Sequence, residues 1–349
     1  MSSMSELVPS GYALLMTGSL NVKEEDREHD GRSWLRPVQV ILNDTVAQCS
    51  FFNAWGEFGV SAFTFIHGDP TVLYVTSGSD LIEMHIQVED AKVLSKTNFD
   101  IPQLKDVHEI TLIDGILWLA NTGYDEVVAF DITRKEVVRR VSLASFRKFS
   151  NVILESLRAG TDGQEIDRFH CNQVFRGLDD RLYALAHHVS GKQLLTKIAK
   201  TLIKGHGNGG VIDIETGRKI ALSLKGPHSV RCVGNEYWIC DSGSNKVNVY
   251  HADWTLKTRL DSAGWGRGAD FSVRDNVYYV GNSAHRKRYR NRPDYNDKNV
   301  VQIFGISDKV LKGEILIPDG IEQINNLYLI PRTLGEAMIR LSETSAINA

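Results

Sequence analysis

Two stretches of this chain can be laid one beneath the other without a gap. VHEITLIDGILWLANTGYDEVVAF, Val107 to Phe130, matches PHSVRCVGNEYWICDSGSNKVNVY, Pro227 to Tyr250. His108 falls on His228, and a tryptophan follows each by ten residues, at Trp118 and Trp238. Asp114-Gly115 falls on the turn pair Gly234-Asn235, and Asn121-Thr122-Gly123 falls on Asp241-Ser242-Gly243. A repeat of this length constrains the fold more than any local motif, because each copy must be one structural unit.

Four weaker copies follow from the same alignment. FHCNQVFRGLDDRLYALAHH places His170 at the histidine position. GRGADFSVRDNVYYVGNS places Gly268 or Ala269 there, with Asp270 close by. IPDGIEQINNLYLIPR places Asp319 there, ten before Leu329, and FTFIHGDPTVLYVTSGSDLIEMHI places Phe63 there. Each copy reads as strand, turn, strand, polar-Gly turn, strand, rich in the β-branched and aromatic residues that suit a pleated, half-buried surface. Such a meander cannot bury both faces alone, and radial stacking does so. The expected fold is therefore an all-β, six-bladed β-propeller formed by residues 1–349 as one domain, five or seven blades being the alternatives. N-terminal strands within 11–45 are expected to pair into the last blade and remove its open edge. Residues 135–160, which contain helix-permissive stretches, and 190–205, where leucine and isoleucine recur at helical spacing, are expected as helical insertions.

At 349 residues with 42% apolar and 24% charged side chains, the chain can bury a large core. A net charge of −3 gives no basic footprint for nucleic acid or an anionic membrane surface. No run approaches the ~18 apolar residues of a membrane span. The four cysteines form no CxxC pair, and three lie in apolar strand-like runs. These features point to a reducing, cytoplasmic location, without a secretory signal.

If the histidine position opens the first strand of each blade, successive blades bring His108, His170, His228 and Asp319 to one channel mouth. Imidazole nitrogens with a carboxylate suit a divalent cation such as Zn, Fe or Mn. An open position on the ion would admit water or substrate. Glu109 stands beside His108 as a further ligand or catalytic group. Asn121, Asn172, Asp241 and Asp270 are placed to orient the histidines. A metal-free version uses one histidine as general base and another to stabilise an anion. The competing expectation is that the histidines bond only to nearby carbonyls or carboxylates. AHRKRYRNR, Ala284 to Arg292, offers Arg286, Arg288 and Arg290 as anion-binding forks. Small-molecule hydrolase, lyase or isomerase chemistry follows from the first set. A non-catalytic propeller for a peptide, glycan or protein partner is the alternative, and a small-molecule sensor is a third.

The repeat resembles the six-bladed propeller class that includes NHL-repeat, gluconolactonase/regucalcin and strictosidine-synthase-like proteins. GGVIDIETGRKI followed by PHSVRCVGNEYWICDSGS is similar to an uncharacterised bacterial propeller family described only as a domain of unknown function. The resemblance to the gluconolactonase-like group implies a divalent metal held at the channel mouth by Glu, Asn and Asp. Here histidines stand at the expected positions, with Asp319 alone of matching type. The Pro-His and Pro-Asp-Gly-Ile strand starts are faintly similar to virginiamycin-lyase-like propellers, which pair a metal with histidine chemistry.

Overall fold

Asp114 and Gly115 both have left-handed backbones, φ +51° and +76°, the type I′ geometry that joins two twisted antiparallel strands through two residues. Gly234 alone does so in the matching turn. Each of these turns folds one copy of the repeat back on itself. The computed structural model of the protein describes residues 7–19, 38–43, 45–48, 62–66, 69–77, 80–146, 167–191, 207–284, 295–296, 298–318, 321 and 323–347.

The described strands group in fours. β1 (Tyr12–Ser19), β2 (Val38–Leu42) and β3 (Thr45–Gln48) come first. The first blade is β4 (Ala62–Ile66), β5 (Asp69–Ser77), β6 (Asp80–Gln87) and β7 (Lys92–Asp100). The second is β8 (Val107–Ile113), β9 (Ile116–Asn121), β10 (Glu126–Asp131) and β11 (Glu136–Ser142). The third is β12 (Cys171–Arg176), β13 (Leu182–Ala186), β14 (Gly209–Asp213) and β15 (Lys219–Leu224). The fourth is β16 (Pro227–Val233), β17 (Glu236–Asp241), β18 (Lys246–His251) and β19 (Leu256–Asp261). The fifth is β20 (Trp265–Ser272), β21 (Val277–Ser283), β22 (Asn299–Gly305) and β23 (Leu311–Ile317). β24 (Gln323–Pro331) joins β1, β2 and β3 in the sixth, and α1 (Arg332–Ile347) follows. Six four-stranded antiparallel sheets make this a six-bladed β-propeller.

The strands fall into two compact units. The smaller, Ile101–Pro227, holds the second and third blades. Its core joins Trp118, Ala120, Val127 and Ala129 of the second blade to Val174, Ala184, Ala186 and Ile212 of the third. The larger unit comprises Met1–Asp100 and His228–Ala349. One of its cores joins Leu73, Val75 and Met84 to Ala13, Leu15 and Val40, with Leu334 and Met338 of α1 packed against them. Another centres on Trp238, fully buried and 4.4 Å from the Tyr278 ring. Trp238 and Trp118 recur in the sequence because they fill the core.

Two sequence expectations are corrected here. Residues 136–142 form the outer strand β11 rather than a helix, since Val137 and Val141 are β-branched and pair with Phe130 and Val127. A short 3-10 turn follows over Leu143–Phe146, and residues 147–160 lie outside the described set, as do 192–205. β24 runs without a turn through Asn325-Asn326, and Leu329 pairs with Leu14 of β1. The second strand of the sixth blade is therefore β1, so the spacing from Asp319 to Leu329 is not the histidine–tryptophan spacing. Asp319 itself lies outside the described residues.

A β-bulge interrupts the first strand of several blades. The β8 register passes from Val107↔Asn121 to Ile110↔Leu119, leaving His108 and Glu109 opposite Ala120. In β12 the extra residue is Asn172, and in β24 it is Asn325. In β20 the bulged pair is Arg267 and Gly268, so Arg267 stands where the alignment had set Gly268 or Ala269. A Cβ on Gly268 (φ +68°) would lie 2.4 Å from the Leu327 nitrogen, which explains the glycine. Bulges bend a strand and re-aim its side chains.

A hydroxyl just past the second strand clasps the next blade. Thr122 Oγ1 donates to Cys171 O. Ser242 Oγ donates to Gly266 O at 2.5 Å, and Ser283 Oγ donates to Ile324 O at 3.2 Å. The recurrence of Thr122 and Ser242 in the sequence repeat thus has a packing cause.

Candidate functional site

The smaller unit gathers imidazoles at the bulged ends of its first strands. His108 is brought onto the bulge of β8, and its ring centroid lies 4.9 Å from that of His170, edge to face. His170 directly precedes β12, and its ring lies 4.3 Å from His187, tilted by 44°. His187 follows β13, and its backbone N–H donates to His170 O at 3.2 Å. His188 comes next, its centroid 6.3 Å from that of His187. The antiparallel pairing of β12 and β13 therefore sets His187 beside His170.

Carboxylates orient two of these rings. His108 Nε2 lies 3.2 Å from Asp106 Oδ2, and His170 Nδ1 lies 3.0 Å from Asp167 Oδ1. A carboxylate beside one ring nitrogen fixes the proton there and makes the other nitrogen the basic one of the neutral ring. The side chains of His108 and His170 are 18% and 20% exposed. Glu109, the second bulged residue, is buried.

A third carboxylate holds the backbone. Asp125 is fully buried and accepts from three consecutive N–H groups. Its Oδ2 takes Arg168 N at 2.6 Å, and its Oδ1 takes Phe169 N at 2.8 Å and His170 N at 3.2 Å. Burial pushes this carboxyl up to about 6, aided by the like charge of Asp167 and opposed by the three N–H groups.

The remaining expected residues are placed differently. His228 belongs to the larger unit, where its Nδ1 lies 2.8 Å from Ser242 Oγ and its ring is 6.3 Å from Trp265. Ser242 spends its own proton on Gly266 O, so His228 Nδ1 must be the donor. This histidine serves the interblade clasp. Asn121 is structural too: its Oδ1 accepts from Lys105 N, and its Nδ2 donates to Gln103 O and Glu126 Oε1. Asp241 is buried at the matching place in the fourth blade. Asn172 Nδ2 donates to Pro227 O at 2.6 Å, while its Oδ1 is buried without a hydrogen-bond partner among the described residues. Asp270 accepts from Phe271 N at 2.9 Å and Leu329 N at 2.7 Å, and burial holds its carboxyl above the usual range. Phe63 lies in β4 opposite Val75. Arg286, Arg288 and Arg290 lie outside the described residues.

Among the described residues, no three His, Cys, Asp or Glu side chains converge as a metal-binding group. Nor is any described helix long and apolar enough to cross a membrane. Asp106, Asp167, Asp125 and His187 are not singled out by the repeat. The one signal for His187 was its position at the end of the strand that pairs with β12.

The sequence matches no family model, and no curated protein resembles it at a significant level. Solved structures share its fold. A protein of unknown function from Bacteroides caccae superposes with a TM-score of 0.56 at 11% identity, covering 92% of this chain and 99% of that one. A chain of the nidogen/laminin complex superposes with a TM-score of 0.52 at 8% identity, covering 91% of this chain and 98% of that one. At such identities the likeness concerns the propeller fold alone.

Proposed function

We propose that the imidazole cluster of the smaller unit is an acid–base centre acting on a small polar molecule by hydrolase- or lyase-type chemistry. The observation that carries this reading is the meeting of two carboxylate–imidazole pairs, Asp167–His170 and Asp106–His108, with ring centroids 4.9 Å apart. Each pair has the carboxylate-oriented imidazole of a general base. Two such rings in contact cannot both be cationic without repulsion, and the working state of this reading carries one proton between them. That state supplies an acid and a base together. In ester hydrolysis, His170 takes a proton from water as the water oxygen bonds to the acyl carbon. The carbon–alkoxide bond then breaks, protonated His108 donates its proton to the leaving oxygen, and the proton held by His170 passes through water to His108 to restore the starting state.

A metal-assisted form would draw on His108 and His170, with Zn, Fe or Mn as the ion. The ion would polarise the substrate oxygen or activate water. The metal-free form is preferred because ring-to-ring contacts and local carboxylates already account for these histidines. Four cysteines without a CxxC pair suit action in the reducing cytoplasm.

The test is hydrolysis of p-nitrophenyl acetate by tag-free, full-length protein, measured with and without chelator. Wild type should exceed His170→Ala by at least about tenfold, as expected for removal of a general base. Chelation should leave the rate unchanged. A wild-type rate no higher than that of His170→Ala overturns the acid–base centre. Loss of activity on chelation overturns its metal-free form.

A further inference from the structure

Asp125 is 43 to 45 residues distant in sequence from the three N–H groups it binds, so it is no ordinary turn residue. Its own position is fixed at both ends. Asp125 N donates to Thr122 O at 3.1 Å, Leu143 N donates to Asp125 O at 2.8 Å, and its backbone is left-handed at φ +51°. Consecutive N–H groups converging on an anion form a nest, a concavity that needs specific backbone angles. His170 supplies one of them, with φ +52°. A non-glycine residue held there is under strain and persists only where its surroundings over-determine it.

We propose that Asp125 is the positioning residue of the imidazole cluster: its carboxylate holds His170 in the left-handed conformation that sets the ring against both His108 and His187. The proposal rests on the acid–base reading for its consequence, and on the hydrogen-bond geometry for its cause. Thr122 reinforces the hold by donating to Cys171 O, so residues 122–125 grip the 168–171 segment at four points. The fourth blade carries Asn245 at the matching place, with the same φ of +51°. An amide therefore fits this backbone, but it offers one acceptor oxygen where the carboxylate offers two. Among the described residues, the ionisable side chains that interact with Asp125 are Asp167 and Cys171, whereas His170 meets it through its backbone N–H.

The decisive variant is Asp125→Asn in the full chain, followed by histidine-selective NMR. The His170 resonance is identified by its loss in His170→Ala. In Asp125→Asn, the His170 signal should move while that of exposed His251 stays. Hydrolysis of p-nitrophenyl acetate should fall on the order of tenfold in kcat with little change in KM. Added to His170→Ala, the substitution should cause no further loss. An unmoved His170 signal overturns the proposal. If wild type hydrolyses nothing, the acid–base reading fails, and the NMR shift still decides the role of Asp125. Should the variant not fold, hydrogen exchange in wild type serves instead. Protected Arg168, Phe169 and His170 amides support the proposal, and freely exchanging ones overturn it.

Discussion

His228 shows how one residue can share a repeat position and yet make different contacts. Its Nδ1 proton goes to Ser242 Oγ, and that serine clasps Gly266 O. Ser242→Ala removes the clasp and strands a buried N–H donor. A loss of about 1–3 kcal/mol is expected, read as a lower urea midpoint at unchanged slope. Asp125 gives a pH signature. A carboxyl whose pKa rises on folding stabilises the fold most below its unfolded value and loses that contribution as pH climbs through the folded one. Burial sets the folded value at about 6 against 3.8. Wild type should therefore lose stability relative to Asp125→Asn between about pH 4 and pH 6, by on the order of 2–3 kcal/mol. Urea midpoints of the two proteins that run parallel over that interval would refute it. The repeat made His108 and His170 legible, because alignment brings distant residues to one register. Asp106, Asp167 and Asp125 were not legible. Their partners are set by loop and backbone geometry that leaves no period in the sequence.

Strands and turns were the most readable elements, since alternation and turn chemistry act locally. Two failures share a cause, which is that tertiary pairing overrides local appearance. Asn325-Asn326 looks like a turn, yet the pair runs on as strand because β1 supplies the ladder partners. Lys135 to Ser142 mixes charge and valine in a way that permits a helix, yet β10 offers an open edge and the segment pairs as β11. Trp238 is the element-scale test. It is fully buried against Tyr278, its Nε1 donates to Glu236 Oε2 at 3.0 Å, and Lys309 lies over its face at 4.6 Å. Trp238→Ala should cost about 3–5 kcal/mol in chemical denaturation. A loss below 1 kcal/mol would show that the core had collapsed around the gap.

The whole molecule follows from four-stranded sheets whose edges must be protected. The sixth blade places β1 between β24 and β2, pairing the N-terminal strand with the last strand of the chain. A chain lacking residues 1–19 would expose β24 as an open apolar edge, carrying Ile324, Leu327 and Ile330. It should aggregate on expression, and a soluble, monomeric product with a native-like melting transition would contradict this. The same pairing sets a clock on biosynthesis. Tyr12 of β1 is made more than three hundred residues before its partner Pro331. At roughly 5–20 residues per second, that separates the two halves of one sheet by about 15–60 s. The N-terminal strand must wait out this interval with its best partner not yet made. During that time β1 lacks its β24 ladder partner, and this sheet closes only when β24 reaches β1.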